Sequence, residues 1–303
     1  MNDKANAVQM EPRPTPEIKG QARNPDFVLS LARGLRVIEC FEGHTVGRSV
    51  AEIAKDAGLS RASVRRLLLT LETLGYAESS RRVYHLKTRV LKLGLSYLSS
   101  TSVIAAAQPV LERITAVVGE SASMSMLDGD QIVYVARSAA SRVLSVGLSV
   151  GSRLPAYCTS MGRVLLAALP EEQLDAYLRN LRPRPYTAKT ITKPEKLRAV
   201  ILKARKDGYA LVNEELEAGL RALSVPVRNR QNRVVAAINI GAHALRIGGK
   251  QMLHRCLPVL RECAATISEI LLEMPYWPPQ GDTGYVDVFH LPRRSCGEFS
   301  ETG

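Results

Sequence analysis

Arg65 and Arg66 stand side by side on a helical pattern, just after the small pair Ala62 and Ser63 and the further cation Arg61. A guanidinium carries a fixed fork of N–H donors that matches guanine edges and phosphate oxygens. Small neighbours let a helix approach a groove closely, and the hydroxyls of Ser60 and Ser63 can hold phosphates. At about 100° per residue, Ala62, Arg65, Arg66, Leu69 and Thr73 share one side, with Ser63 at its flank. The opposite side is a stripe of Val64, Leu67, Leu68, Leu71 and Leu74. This arrangement suits a helix that lodges its N-terminal residues in a major groove. A second basic pair, Arg81 and Arg82, falls between the short runs YAES and VYHL. Arginines at such a hairpin tip suit phosphate or minor-groove contact.

A helix start offers chemistry of another kind. Thr159-Ser160-Met161-Gly162 opens an apolar run that ends at Leu169. Unpaired N–H groups and a positive dipole end attract anions there. On the residues alone, a capped core helix is the plainer account. Arg153 and Arg221 could supply countercharge, and each would serve equally as a surface or structural arginine. Catalysis finds less support. Ser160 lacks the G-x-S-x-G elbow. The five histidines have no evident nucleophile or acid partner, and no Walker loop, Rossmann glycine pattern or metal box occurs. Neither a cofactor nor a metal is expected.

The arginines need a frame. Ser49 and Glu52 have capping-box spacing, and Val50, Ile53, Ala54 and Ala57 then make a helical stripe that Gly58 stops. Ser60 can cap the helix that carries Arg65, and Gly75 ends it. The spacing predicts a helix-turn-helix, and the hairpin after it a wing. Val28, Leu31, Leu35 and Ile38 are expected to pack an earlier helix behind the pair. Residues 100–118 read as a linking helix that ends at Gly119. The apolar, Ala-rich stretch 88–118 is the natural dimerising element, because useful specificity needs two half-sites.

From Ser121 the pattern changes. Two apolar runs flank Asp128-Gly129, a hairpin signal. Residues 144–150 read as a strand and 159–169 as a helix capped by Thr159. Residues 192–208 read as a helix with Thr192 and Glu195 as capping box, Pro194 in its first turn and Gly208 as its stop. Strands are expected at 209–213, 222–227 and 234–240, and a long helix at 250–273. Irregular alternation with hairpins predicts an α+β domain with an antiparallel sheet. The expected organisation is a disordered arm (1–24), a winged helix-turn-helix domain (25–87), a linker helix region (88–118), an effector-binding domain (119–274) and a tail (275–303).

Charge agrees with this division. The net charge is +12, and residues 26–99 hold twelve Lys+Arg against seven Asp+Glu, whereas 100–303 hold twenty-five against nineteen. The basic excess is denser where nucleic acid would bind. Five cysteines, an odd number without metal-ligand spacing, argue against a disulfide frame or a zinc site. The polar first 24 residues do not read as a signal peptide, and no apolar run has the length of a membrane span. A soluble cytoplasmic protein with no membrane partner is expected.

Three long stretches, FVLSLARGLRVIECF, VAEIAKDAGLSRASVRRLLLTLETLGY and LKTRVLKLGLSYLSS, resemble the IclR family of bacterial regulators. VGSRLPAYCTSMGRVLLAALP and VNEELEAGLRALSVPVRN match it as well. The likeness covers roughly 26–274. It is nearest to the subgroup that controls protocatechuate and 4-hydroxybenzoate breakdown through the β-ketoadipate pathway. The resemblance implies a GAF-like effector domain, and dimers or tetramers on a palindromic double-stranded operator. It also implies a small organic-acid effector held by backbone amides at Ser160 and Met161, next to the capping Thr159. Leu220, Ala222, Ser224 and Asn239 are the strand positions it adds to that site. Ala222 stands where the family often has Cys or Ser, and Asn239 and Gly241 stand where hydroxyl residues are frequent. The subgroup leans toward activation, with RNA polymerase as a partner. A repressor answering another small acid is the alternative, and an enzyme acting on a small acid a remote one.

Overall fold

The computed structural model describes residues 26–42, 44, 46–93, 102–140 and 148–273. Two compact units divide at about residue 97. The expected arm and tail lie outside the described residues.

The N-terminal unit holds α1 (Leu29–Glu39), β1 (Arg48–Ser49), α2 (Val50–Ala57), α3 (Arg61–Thr73), β2 (Ala77–Ser80) and β3 (Val83–Leu86). Its sheet runs β1-β3-β2, all antiparallel. Ser49 accepts from Glu52 N while its own backbone N–H donates to the Glu52 carboxylate at 2.8 Å, so the capping box is complete. Gly58 turns the chain at φ 66°, where a side chain would be strained. The core is Val37, Ile53, Val64, Leu68 and their neighbours. Arg48 is buried and spans two elements: it donates to Cys40 O and pairs with Asp56. Arg36 donates to the Asp56 carbonyl at 3.0 Å. These contacts fix α1 and β1 against α2.

Two apolar assignments need correction. Val28, Leu31 and Leu35 are exposed, because α1 turns Val37 inward, with Cys40 and Phe41 beyond its end. The true face is rotated from the sequence stripe. Leu74 is also exposed, since it caps α3 after the last buried turn at Leu71.

The C-terminal unit contains α4 (Ser102–Val118), β4 (Ser121–Asp128), β5 (Gln131–Ser138), β6 (Arg153–Pro155), α5 (Ser160–Ala167) and α6 (Glu171–Asn180). It continues with α7 (Pro194–Asp207), β7 (Ala210–Asn213), β8 (Leu220–Arg228), β9 (Val234–His243) and α8 (Gly249–Glu273). One six-stranded sheet runs β6-β5-β4-β9-β8-β7 with every pair antiparallel. Strand alternation sends Met124, Leu223, Val225, Ile238 and Ile240 to one face, covered by α4 and α8. The other face meets α5, α6 and α7. The expected α+β class with an antiparallel sheet is what the chain adopts.

Local differences have local causes. Ala107, Leu111 and Ile114 of α4 are fully buried against the sheet, so this helix packs as part of the C-terminal unit and is no free-standing link. Residues 149–152 form a turn closed by Ser152 N donating to Ser149 O at 3.0 Å, and the short strand falls at Arg153–Pro155, which pairs with β5. The rest of the expected 144–150 strand lies outside the described residues. Thr192 does not cap α7: Lys193 is the N-cap and makes no side-chain bond, because its ammonium only donates and cannot accept from the first-turn N–H groups. Helix α6 has no counterpart in the sequence reading.

Burial makes a stability prediction for the N-terminal unit. Leu68→Ala removes a side chain that is wholly enclosed and should cost about 2–5 kcal/mol, whereas exposed Leu69→Ala should stay within about 0.5 kcal/mol. Urea denaturation of both variants checks the contrast. Equal losses would mean that the inward face of α3 is wrongly placed.

Candidate functional site

The cationic face of α3 is built by its caps. Ser60 Oγ accepts from Ser63 N at 3.2 Å and donates to Ser63 Oγ at 2.9 Å, so both hydroxyls already order the first turn. With Val64, Leu68 and Leu71 buried, Arg61, Ala62, Arg65, Arg66, Leu69 and Thr73 are left exposed on the other side. Glu72 accepts from Ser79 N and Ser79 Oγ at 3.0 and 2.8 Å, which ties the wing to the same helix. The wing turn is unusual. Ser80 pairs with Val83, and both intervening residues, Arg81 and Arg82, have positive φ of 50° and 68°. Glycine and asparagine normally fill such a turn, and each non-glycine residue here costs roughly 1–2 kcal/mol. The structure therefore holds two exposed arginines at a strained tip. Strain of this kind concentrates at functional positions.

The second feature is a cavity of about 60 Å³ between the start of α5 and the sheet. Thr159 Oγ1 accepts from Gly162 N at 3.2 Å and donates to Pro155 O at 3.0 Å, which fixes the turn into the helix. Every residue of α5 is buried. That includes Arg163, which donates to Tyr157 O at 3.1 Å and pairs with buried Glu215 at 2.6 Å. Glu215 also accepts from Ile191 N at 3.2 Å, and its carbonyl accepts from Thr190 Oγ1 at 2.6 Å. The loop between β7 and β8 is thereby pinned beside the pocket, where Glu215, Leu216 and Glu217 form part of its wall.

Thr159, Ser160, Met161, Leu220, Ala222 and Asn239 all line this cavity. Ser224 does not. It is fully buried behind the wall, with its hydroxyl 2.7 Å from Ser160 Oγ, and so it holds a lining residue. Arg153 pairs with Asp128, and Arg221 bonds Asn213, Ala244 O and Ile247 O. Both are structural and neither lines the pocket.

The cation that does line it is Arg137, with Ser121, Ser123 and Tyr134, none of which the sequence reading singled out. Arg137 Nη1 donates to Ser123 Oγ at 3.2 Å, and among the described residues it has no carboxylate partner. Burial pushes the Tyr134 phenol up to about 12, against the pull of Arg137, and burial also pushes the Cys158 thiol up to about 12. A raised acid pKa favours the neutral form, so both lining groups stay uncharged at neutral pH. Among the described residues, Arg137 is the one full positive charge on the lining. Among the described residues no cluster of His, Cys, Asp or Glu could hold a metal, and no helix is long and apolar enough to cross a membrane.

Gly162 sets the width of the α5 entrance. A Cβ there would lie 2.1 Å from Ala156 O and 2.4 Å from Ala156 Cα, both backbone atoms. Gly162→Ala must push the helix start away from the turn, at about 1–3 kcal/mol. Thermal melting should show the loss, and an unchanged melting temperature would contradict this close approach.

Comparison with known proteins gives a consistent answer. The helix-turn-helix domain model of the IclR family matches residues 30–81, and the model for the bacterial transcriptional regulator IclR C-terminal domain matches 95–269. The Pca regulon regulatory protein of Pseudomonas putida is 45% identical over 248 residues, covering 82% of this chain and 85% of that protein. The p-hydroxybenzoate hydroxylase transcriptional activator of Acinetobacter baylyi is 33% identical over 261 residues, covering 84% and 96%. Among solved structures, a Rhodococcus sp. RHA1 protein aligns with TM-score 0.72 and 47% identity over 81% of this chain and 98% of that one. An IclR homolog from Microbacterium hydrocarbonoxydans, complexed with 4-hydroxybenzoate, aligns with TM-score 0.70 and 26% identity over 80% and 98%. Matched across both units by models of regulators rather than of enzymes, the chain belongs to the IclR family of bacterial transcriptional regulators.

Proposed function

We propose that this protein activates genes for aromatic-acid breakdown through the β-ketoadipate pathway, and that a small carboxylate bound in the α5 pocket controls it. The observation that carries this reading is the pocket itself. It joins a capped helix start, with the amides of Ser160 and Met161, to a wall containing a guanidinium that has no carboxylate partner among the described residues. Amides held by a folded helix need no reorganisation to meet an anion, and the helix dipole favours negative charge. The relatives that act on the Pca regulon and on p-hydroxybenzoate hydroxylase support the pathway. The activator among them supports the direction.

On the DNA side, Arg65 and Arg66 read base edges. Ser60, Arg61, Ala62 and Ser63 sit against the backbone, and Arg81 and Arg82 hold phosphates or the minor groove. One winged domain contacts few base pairs, so a homodimer or tetramer on a palindromic operator is required for specificity. An activator then recruits RNA polymerase. Residues 25–87 form the reading domain and 119–274 the sensor, and the 88–118 stretch, whose α4 part packs on the sensor sheet, transmits the change between them. A ligand shifts operator binding only if it prefers one of two conformations.

Two sets of variants test this. Arg65→Ala should cost about 1–3 kcal/mol on the operator and relax specificity at one position. Arg81→Ala or Arg82→Ala should weaken all sequences alike and lower the salt slope by about one unit each. Fluorescence titrations at several salt concentrations read both, and unchanged affinity in the Arg65, Arg66 double alanine variant would remove α3 as the reader. For the sensor, Ala222→Phe should abolish acid binding by filling the cavity and leave operator affinity near wild type. Normal acid binding in that variant would place the effector elsewhere.

A further inference from the structure

We propose that Gln108 and Thr115 carry the state of the α5 pocket into helix α4, because they fasten that helix to the backbone of the strand end that bears Arg137. The inference rests on the pocket being the effector site and specifies how that site is read out.

The coupling begins at a bulge. On β5, Tyr134 pairs with Ser125 and Ala136 with Met124, so Val135 is left over. Val135 and Ala136 are consecutive, yet both are buried in one cluster with Ala107, Leu111 and Ile114 of α4. Two residues in a row thus face the helix, and Arg137 returns to the cavity wall. The next carbonyls are held by α4. Gln108 Nε2 donates to Arg137 O at 3.3 Å, and Thr115 Oγ1 donates to Ser138 O at 3.4 Å. Gln108 Nε2 also donates to Glu112 Oε1 at 2.9 Å, which steadies the amide. Past its end, α4 turns at Gly119, φ 75°, and the chain reaches Ser121, another lining residue. The Ser121 hydroxyl accepts from Ala140 N at 3.0 Å. Helix α4 therefore meets the polar wall of the cavity twice, through the Arg137 backbone and through its own continuation.

Apolar packing between α4 and β5 has no direction of its own. The two hydrogen bonds are directional, so they fix which carbonyl each turn of the helix follows. Pro109 adds a joint. It has no N–H for the Ala105 carbonyl, so the helix ladder is broken beside Gln108. Arg137 Nη1 rests on Ser123 Oγ at 3.2 Å. An acid that draws the guanidinium off that hydroxyl shifts the strand end just beyond its bulge, and Gln108 passes the shift to α4.

Operator titrations and calorimetry on the full chain test this, with 4-hydroxybenzoate, protocatechuate and adipate as the probe acids. In the wild type, the acid that binds most tightly should change the operator Kd about fivefold or more. The Gln108→Leu, Thr115→Val double variant should bring that factor to within about twofold of one, while each Kd measured without the other ligand stays within about threefold of wild type. A merely structural defect would move one of the two affinities instead. Gln108→Lys, whose ammonium still donates to the carbonyl, should keep the factor within about twofold of wild type. Should the double variant fail to fold, Thr115→Val alone keeps the side chain's shape and should cut the factor about twofold or more. The proposal is overturned by a wild-type factor near one, or by folded variants that keep the wild-type factor. It is also overturned if the double variant loses acid binding, since Gln108 and Thr115 would then shape the pocket rather than read it. Ala222→Phe separates the levels. If it leaves acid binding intact, or if the wild type binds none of the three acids, the pocket reading itself fails. If it abolishes binding while the double variant keeps the factor, the coupling alone fails.

Discussion

The C-terminal unit depends on one buried charge. Helix α5 is enclosed on every side, yet it carries Arg163 one turn in from its start. A guanidinium cannot stay buried without a partner, and removing one side of such a pair costs about 3–5 kcal/mol. Glu215 must therefore lie against α5. Because Glu215 sits in the β7–β8 loop, its pairing brings that loop to the pocket wall and draws in the 187–191 segment through Thr187, Thr190 and Ile191. The pocket is thus a consequence of satisfying one arginine. Gly162 lets the helix start approach the preceding turn, and the Ser160–Ser224 hydroxyl pair ties it to the sheet.

The N-terminal unit uses the same device on a smaller scale. Arg48 is buried and bridges the end of α1 to Asp56 in α2. With the scaffold held by these bonds and by the apolar side of α3, the arginines of α3 carry no packing duty and remain in solvent. Their exposure is the reason that they are available to a polyanion. The wing extends this logic. Two arginines occupy left-handed positions that glycine would fill without strain. Charge at the tip has been kept at the expense of local comfort, which accords with contact to phosphates.

Much of this was legible in the sequence where the signal is local. The capping box at Ser49 and Glu52, the turn at Gly58, the hairpin at Asp128-Gly129 and the cap at Thr159 are short-range patterns, and each fell where expected. Long-range facts were not legible. Arg137 shares the pocket face with Tyr134 only because the register shifts at Met124/Ser125. An odd spacing of three would otherwise place them on opposite faces, so strand alternation pointed away from the pocket's own cation. Arg153 and Arg221, nearer in sequence to recognisable motifs, looked better and are tied to structural partners. The exposed stripe of Val28, Leu31 and Leu35 misled for a related reason, since α1 is apolar on more than one side and tertiary packing chose Val37.

Control by a small acid, as proposed, requires that the acid and the operator compete or cooperate through one equilibrium. Linkage makes the demand strict: if the acid changes operator affinity by some factor, the operator changes acid affinity by the same factor. The decisive measurement is the Kd of a hydroxybenzoate for the free protein and for the operator-bound protein, set beside the operator Kd with and without saturating acid. The account predicts two equal factors, both different from one. A factor of one in both directions, with the acid still bound, would contradict it.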